Sequence, residues 1–188
     1  LATGFPVSKA SMARKVARDL LGVTGLKQLI GTTYLVVACA RGKNVNAGTL
    51  PMRFERGAAL RMLLGTVVTN VTLFAVLWAL GHPLLYLLWF GAWLTTSKLA
   101  ARIRSIAEHA LVPDPTTPMG QTRTVRAGWL ERLFFAPNGV QYHLEHHLLM
   151  TVPHYNLPRF HAMLRERGLL EGACVAESYA QVLRQVVA

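Results

Sequence analysis

Apolar and polar residues follow one another along this chain in long blocks, and the blocks repeat at helical rather than strand spacing. Ser8 to Leu21 sets Met12, Val16, Ala17, Leu20 and Leu21 near one helical face, with Lys9, Arg14, Lys15 and Arg18 largely elsewhere. This predicts a basic amphipathic helix with Ser8 as N-cap and Gly22 as its stop, suited to lying on anionic headgroups. Leu26 to Ala40 is apolar but falls short of the roughly 20 residues needed to cross a bilayer, so it reads as a helix at the interface or partly embedded. Gly42, Asn44, Asn46, Gly48 and Pro51 make the stretch from Arg41 to Gly57 a loop. Met62 to Leu80 and Pro83 to Ser97 are both free of charge, and only the turn Gly81-His82-Pro83 separates them. They predict two membrane spans joined as an antiparallel helical hairpin. From Ala100 onward the chain is more polar, with Pro113, Pro115 and Pro118 leading to a further helical pattern around Ala127 to Phe135.

Composition sharpens this picture. The 188 residues are 52% hydrophobic and 15% charged, yet carry a net charge of +11. A soluble domain carries about 25% charged residues, so the positive excess is concentrated in few polar stretches, as apposition to a membrane requires. A basic surface alone would also suit nucleic acid; the apolar blocks argue against it. Arg53, Arg56 and Arg61 precede the hairpin and Lys98, Arg102 and Arg104 follow it, which by the positive-inside rule puts both ends in the cytoplasm and the His82 turn outside. The fold expected is therefore all-α: a transmembrane helical hairpin at 58–99, amphipathic interfacial helices and a loop at 1–57, and a cytoplasmic helical cap at 100–188. Cys39 and Cys174 are too isolated to form a disulfide framework or a CxxC metal motif. The first residue is Leu1 and no signal-peptide succession follows it, so further chain is expected upstream.

The densest chemistry lies in the run from Asn138 to His147, where His143, His146 and His147 stand at i, i+3 and i+4. On a helix these share a face and can aim their nitrogens at one point. An all-nitrogen donor set suits iron, zinc or copper rather than magnesium or calcium. Glu145 precedes His146 and does not complete the HExxH arrangement of zinc proteases. Nucleophile motifs such as GxSxG and phosphate-cradling glycine loops are missing, which sets aside hydrolysis and phosphoryl transfer. Glu108 and His109 close the segment RIRSIAEH and bring one more imidazole to the end of the hairpin.

The HxxHH box His143-Leu-Glu-His-His147, with Asn138 and Tyr142 before it and Pro153, Leu157-Pro158 and His161 after it, resembles the third histidine box of membrane fatty acid desaturases. RIRSIAEHA, the Thr122-Arg123-Thr124 triplet and the hairpin are similar to bacterial members of that family. The resemblance implies a cytoplasmic di-iron centre above transmembrane helices, in a multi-pass protein of the bacterial inner membrane. His143, His146 and His147 match the third box, and His109 matches an additional ligand position; Asn138, Glu108 and Glu145 are candidates to orient the ligands. Ser105 stands where related desaturases place an asparagine. No counterpart of the first two boxes lies between Leu1 and Ala101, so the remaining iron ligands are expected upstream, and this chain alone is expected to be inactive. The implied activity is O2-dependent desaturation of an acyl chain held in the membrane, with electrons from a ferredoxin or a cytochrome b5-like donor. Hydroxylation or ketolation of alkane, sterol or carotenoid substrates, and a non-catalytic membrane fragment, are the competing readings.

Overall fold

The structure, a computed structural model, describes residues 4–42, 56–114 and 116–188. Most of the loop expected between Arg41 and Gly57, including Arg53, and Pro115 of the connector lie outside the described residues. The helices run α1 (Lys9–Leu20), α2 (Val23–Ala40), α3 (Arg56–Ala79), α4 (Leu85–Leu94), α5 (Thr96–His109), α6 (Trp129–Phe134), α7 (His143–Leu148), α8 (Leu157–Glu166) and α9 (Tyr179–Gln185). Two short strands, β1 (Thr124–Val125) and β2 (Val175–Ala176), pair in parallel and add a little sheet to a mostly helical chain. The chain divides into two compact units, residues 18–98 and residues 1–17 with 99–188.

Among the described residues of 18–98, two helices are long and apolar enough to cross a bilayer, α2 and α3. α2 begins at Val23, earlier than the apolar run starting at Leu26 predicts, and so reaches 18 residues. Gly22, at φ 75°, makes the sharp entry that allows this. Gly25 passes so close to the Leu94 backbone that a Cβ there would lie 2.2 Å from its carbonyl oxygen, so only glycine permits this approach of α2 to α4. Val36 and Cys39 of α2 bury Ala59 of α3. None of the most apolar window of α3 is buried in the protein, which is the reverse of a soluble core helix.

After α3 the chain turns at Leu80–Leu84, and α4 runs back so that the Tyr86 ring meets Phe74 edge-on at 5.6 Å. The Tyr86 hydroxyl donates to Asn70 Oδ1 at 2.9 Å, and Asn70 in turn donates to the Thr66 carbonyl. α4 holds ten residues, about 15 Å of rise and half of a bilayer's hydrocarbon core. The uncharged stretch from Pro83 to Ser97 is thus not one continuous span. It breaks at Thr95, whose backbone leaves helical angles (φ −116°, ψ −86°) while its hydroxyl donates to the Gly91 carbonyl at 2.7 Å.

The other unit is built on different principles. Ile106 and Ala110 pack with Ala176, Val182 and Val186, and Phe5 and Met12 close this cluster from the N-terminal side. Val7 exchanges backbone hydrogen bonds with Val186 and Ala188. Ala107, Val125, Ala136 and Tyr179 form a second small core. The region beyond Arg165, which shows no chemical motif, therefore supplies much of the packing that holds α5 and β1. Ser8 accepts from the Ser11 N–H, as an N-cap does.

Candidate metal centre

α5 delivers His109 as its last residue, and a helix end leaves its final carbonyls without partners. Here side chains supply them. Arg123 donates to the Ala107 carbonyl at 2.9 Å and to the Leu111 carbonyl at 3.1 Å, and Thr122 donates to the Glu108 carbonyl at 2.9 Å. A guanidinium at a helix C-terminus also meets the negative end of the helix dipole. The clamp holds Leu111 at φ 51°, an uncommon angle for a residue with a branched side chain. Arg123 Nε reaches Cys174 Sγ at 3.2 Å, which ties the clamp to the segment leading into β2.

α7 is only six residues long, so its orientation is set from outside. Asn138 (φ 57°) and Gly139 (φ 72°) turn the chain through left-handed angles before it. Asparagine tolerates such angles better than other residues with a Cβ, and a Cβ on Gly139 would press the His154 carbonyl at 3.2 Å. Val125 N–H then donates to the Gln141 carbonyl, joining the start of α7 to β1. Leu144 and Glu145 point inward and are fully buried. Glu145 Oε2 accepts from the Thr124 hydroxyl at 2.6 Å, and Oε1 lies 2.5 Å from His161 Nδ1 on α8. The Tyr142 ring rests against His161. Thr122, Arg123 and Thr124 thus join the end of α5 to α7, a role their sequence context does not reveal.

With both helices so held, His143 Nε2 lies 3.0 Å from His109 Nε2 and 3.1 Å from His147 Nε2. The donor atoms of the three rings fall within 4.8 Å of one another. Burial pushes the His143 pKa down to about 3, and the neighbouring imidazoles add to it. His109 and His147 are also lowered, chiefly by burial, with a backbone hydrogen bond at Gln121 opposing the shift at His109. All three rings are neutral near pH 7, the form that ligates metals. One imidazole nitrogen offers one proton or one lone pair, so His143 Nε2 cannot satisfy both neighbours. A cation receiving three lone pairs resolves the conflict.

His146 stands apart from this group. Its ring centroid lies 5.9 Å from those of both His143 and His147. It lines a cavity of about 300 Å³ together with Glu108, Asn138, His143, Arg104 and the exposed His154. Glu108 Oε2 is 3.7 Å from His143 Nε2, and Oε1 is 3.5 Å from Arg104 Nε without a hydrogen bond. Burial raises its pKa to about 7 against the pull of Arg104. Of the seven predicted site residues, the structure thus brings His109, His143 and His147 together, sets His146, Glu108 and Asn138 around an adjoining cavity, and puts Glu145 behind α7. His161, which follows the box in sequence, is the partner of Glu145. An isolated histidine fourteen residues beyond the box carries no local signal of that pairing.

The fatty acid desaturase family model matches residues 2–176. The chain belongs to the fatty acid desaturase family, an oxidoreductase family, and the histidine cluster lies inside the matched region. No curated protein and no solved structure matches the chain.

Proposed function

We propose that this chain contributes His109, His143, His146 and His147 to a di-iron centre that desaturates an acyl chain of a membrane lipid. The observation that carries the proposal is the convergence of three neutral imidazole nitrogens from α5 and α7 within 4.8 Å, in a chain of this family. When bound, iron would supply the dioxygen-dependent oxidation that no side chain can perform on an unactivated methylene. His109, His143 and His147 would hold one ion. His146, on the wall of the adjoining cavity, would serve the second, with further ligands from other parts of the enzyme.

The chain's own residues do the preparatory work. Burial keeps the three rings unprotonated, so binding displaces no proton from them. The Arg123 clamp fixes the height of His109 on α5, and Glu145 fixes the rotation of α7. Asn138 and Glu108 offer polar groups beside His143. α3 and α2 would embed the protein in the bilayer as part of a multi-pass array, with α3 and α4 as a hairpin and the centre on the cytoplasmic side. The basic residues flanking them favour that orientation, and an electron donor such as a ferredoxin or a cytochrome b5-like protein would dock there.

The test is iron content together with lipid profiling of the protein in its own membranes. Wild-type protein should hold iron and generate unsaturated acyl chains, and His143→Ala should lose most of both. Wild-type iron in His143→Ala would sink the assignment of the site, and hydroxylated product would move the reaction to the hydroxylase reading.

A further inference from the structure

α6 is turned inside out for a surface helix in water. Its one acid, Glu131, faces the protein: Oε1 accepts from the Tyr179 N–H at 3.0 Å and Oε2 from the Gly128 N–H at 3.1 Å. Its apolar side chains face away, with Trp129 69%, Leu133 64% and Phe134 62% exposed and Leu130 half exposed. A patch of this kind marks a surface that meets something apolar.

Beside it lies a cavity of about 340 Å³ lined by Arg126, Arg132, Arg165, Gln141, Tyr142 and His161. Arg126 is paired with Glu177 at 3.1 Å; neither Arg132 nor Arg165 has a carboxylate partner among the described residues. Gln141 is buried, and its side-chain oxygen has no hydrogen-bond partner among the described residues. A buried acceptor left unsatisfied is costly, and a hydroxyl of a bound headgroup can donate to it. Three guanidiniums against one carboxylate leave positive charge for an oxyanion, which arginine binds through paired N–H groups. Arg132 belongs to both features, since it lies on α6 and lines the cavity.

We propose that this face binds an anionic phospholipid, with the phosphate held between Arg132 and Arg165 and the acyl chains lying along Trp129, Leu130, Leu133 and Phe134. A free phosphate would use the arginines but leave the apolar face of α6 without purpose, whereas a lipid accounts for both. An amphipathic helix with tryptophan, phenylalanine and leucine on one side and arginine beside them is the composition that lies in the headgroup region. The site is separate from the histidine cluster and needs no metal, so its failure would leave the metal reading untouched.

The test uses the full chain in a neutral detergent, titrated calorimetrically with dihexanoylphosphatidylglycerol, dihexanoylphosphatidylcholine and inorganic phosphate. Phosphatidylglycerol should bind about ten-fold tighter than either of the others. R132A/R165A should weaken it by at least about ten-fold, L133S/F134S should weaken it while leaving phosphate unchanged, and Arg184→Ala, on the exposed side of α9, should change nothing. Circular dichroism checks folding, and the single exposed change Arg165→Gln replaces the double variant if that unfolds. Wild-type affinity in the arginine variant overturns the proposal. So does inorganic phosphate binding as tightly as the lipid with no effect of L133S/F134S, which would mean a free-anion site. A smaller species on gel filtration of L133S/F134S with unchanged lipid affinity would overturn it too, by assigning the face to a protein contact.

Discussion

Residues 18–98 and residues 99–188 place their polar groups by opposite rules. Along α3 the apolar side chains of Leu64, Val67, Val68, Val71 and Phe74 are exposed, and the polar Asn70 bonds to its own helix and to Tyr86. Around α5 and α7 the buried residues include Glu108, Thr122, Arg123, Thr124, Gln141 and Glu145. A helix surrounded by hydrocarbon satisfies its backbone internally and needs few specific partners. A six-residue helix cannot fix its own orientation, and the second region accordingly places its buried polar groups around it. The contrast teaches where single substitutions should hurt.

The largest effect should come from Arg123→Ala, which strips partners from the Ala107 and Leu111 carbonyls. The Ala107 carbonyl is buried and the Leu111 carbonyl partly so; a buried carbonyl left bare costs about 1–3 kcal/mol, so the loss should be about 3 kcal/mol, read as a shift in the denaturant midpoint of the full chain in detergent. Arg123→Lys should recover less than half, because one ammonium cannot span both carbonyls. A loss under about 1 kcal/mol would mean the clamp is ornamental and the contrast false.

Acidification should give the next largest effect, in protein stripped of metal. His143, lowered to about 3, is protonated in the unfolded chain but not in the folded one below about pH 6.5, so its contribution to stability is lost as pH falls from that point. Glu108, raised to about 7, acts oppositely: the folded form keeps a proton that the unfolded chain releases above about pH 4.5. Its contribution therefore grows as pH falls from 7 toward 4.5. Between pH 7 and 5 these two nearly cancel at about 2 kcal/mol each, which leaves a shallow loss from His109 and His147. Glu108→Gln should steepen that loss by about 2 kcal/mol over the same interval, measured by thermal unfolding at each pH. An unchanged slope in this variant would show that Glu108 is ionised and solvated.

The smallest effect belongs to the first region. Tyr86→Phe removes the single bond to Asn70 and should cost about 0.6 kcal/mol, as polar contacts between membrane helices do, while leaving iron content unchanged. A cost equal to that of Arg123→Ala would erase the distinction between the two regions.

How much of this was legible beforehand divides along the same line. The apolar blocks at Leu26–Ala40 and Met62–Leu80 announce α2 and α3, because helix formation and burial in hydrocarbon depend on residue type and on neighbours three and four positions away. The i, i+3, i+4 spacing of His143, His146 and His147 announces α7 for the same reason. Local pattern failed at Pro83–Ser97, where an uncharged run conceals the break at Thr95, since hydropathy does not register backbone angle.

By itself, then, the amino-acid order determined the helical blocks as far as α3, their apolar character and where imidazoles are concentrated. Only the tertiary structure decided that His109 meets His143 across 34 positions, that His146 faces a neighbouring cavity, and that Arg123, Thr124 and His161 hold the two helices in place. Those outcomes arise from packing between segments distant in sequence, where distance along the chain carries no record of distance in space, and a buried guanidinium reads in sequence like any solvated charge.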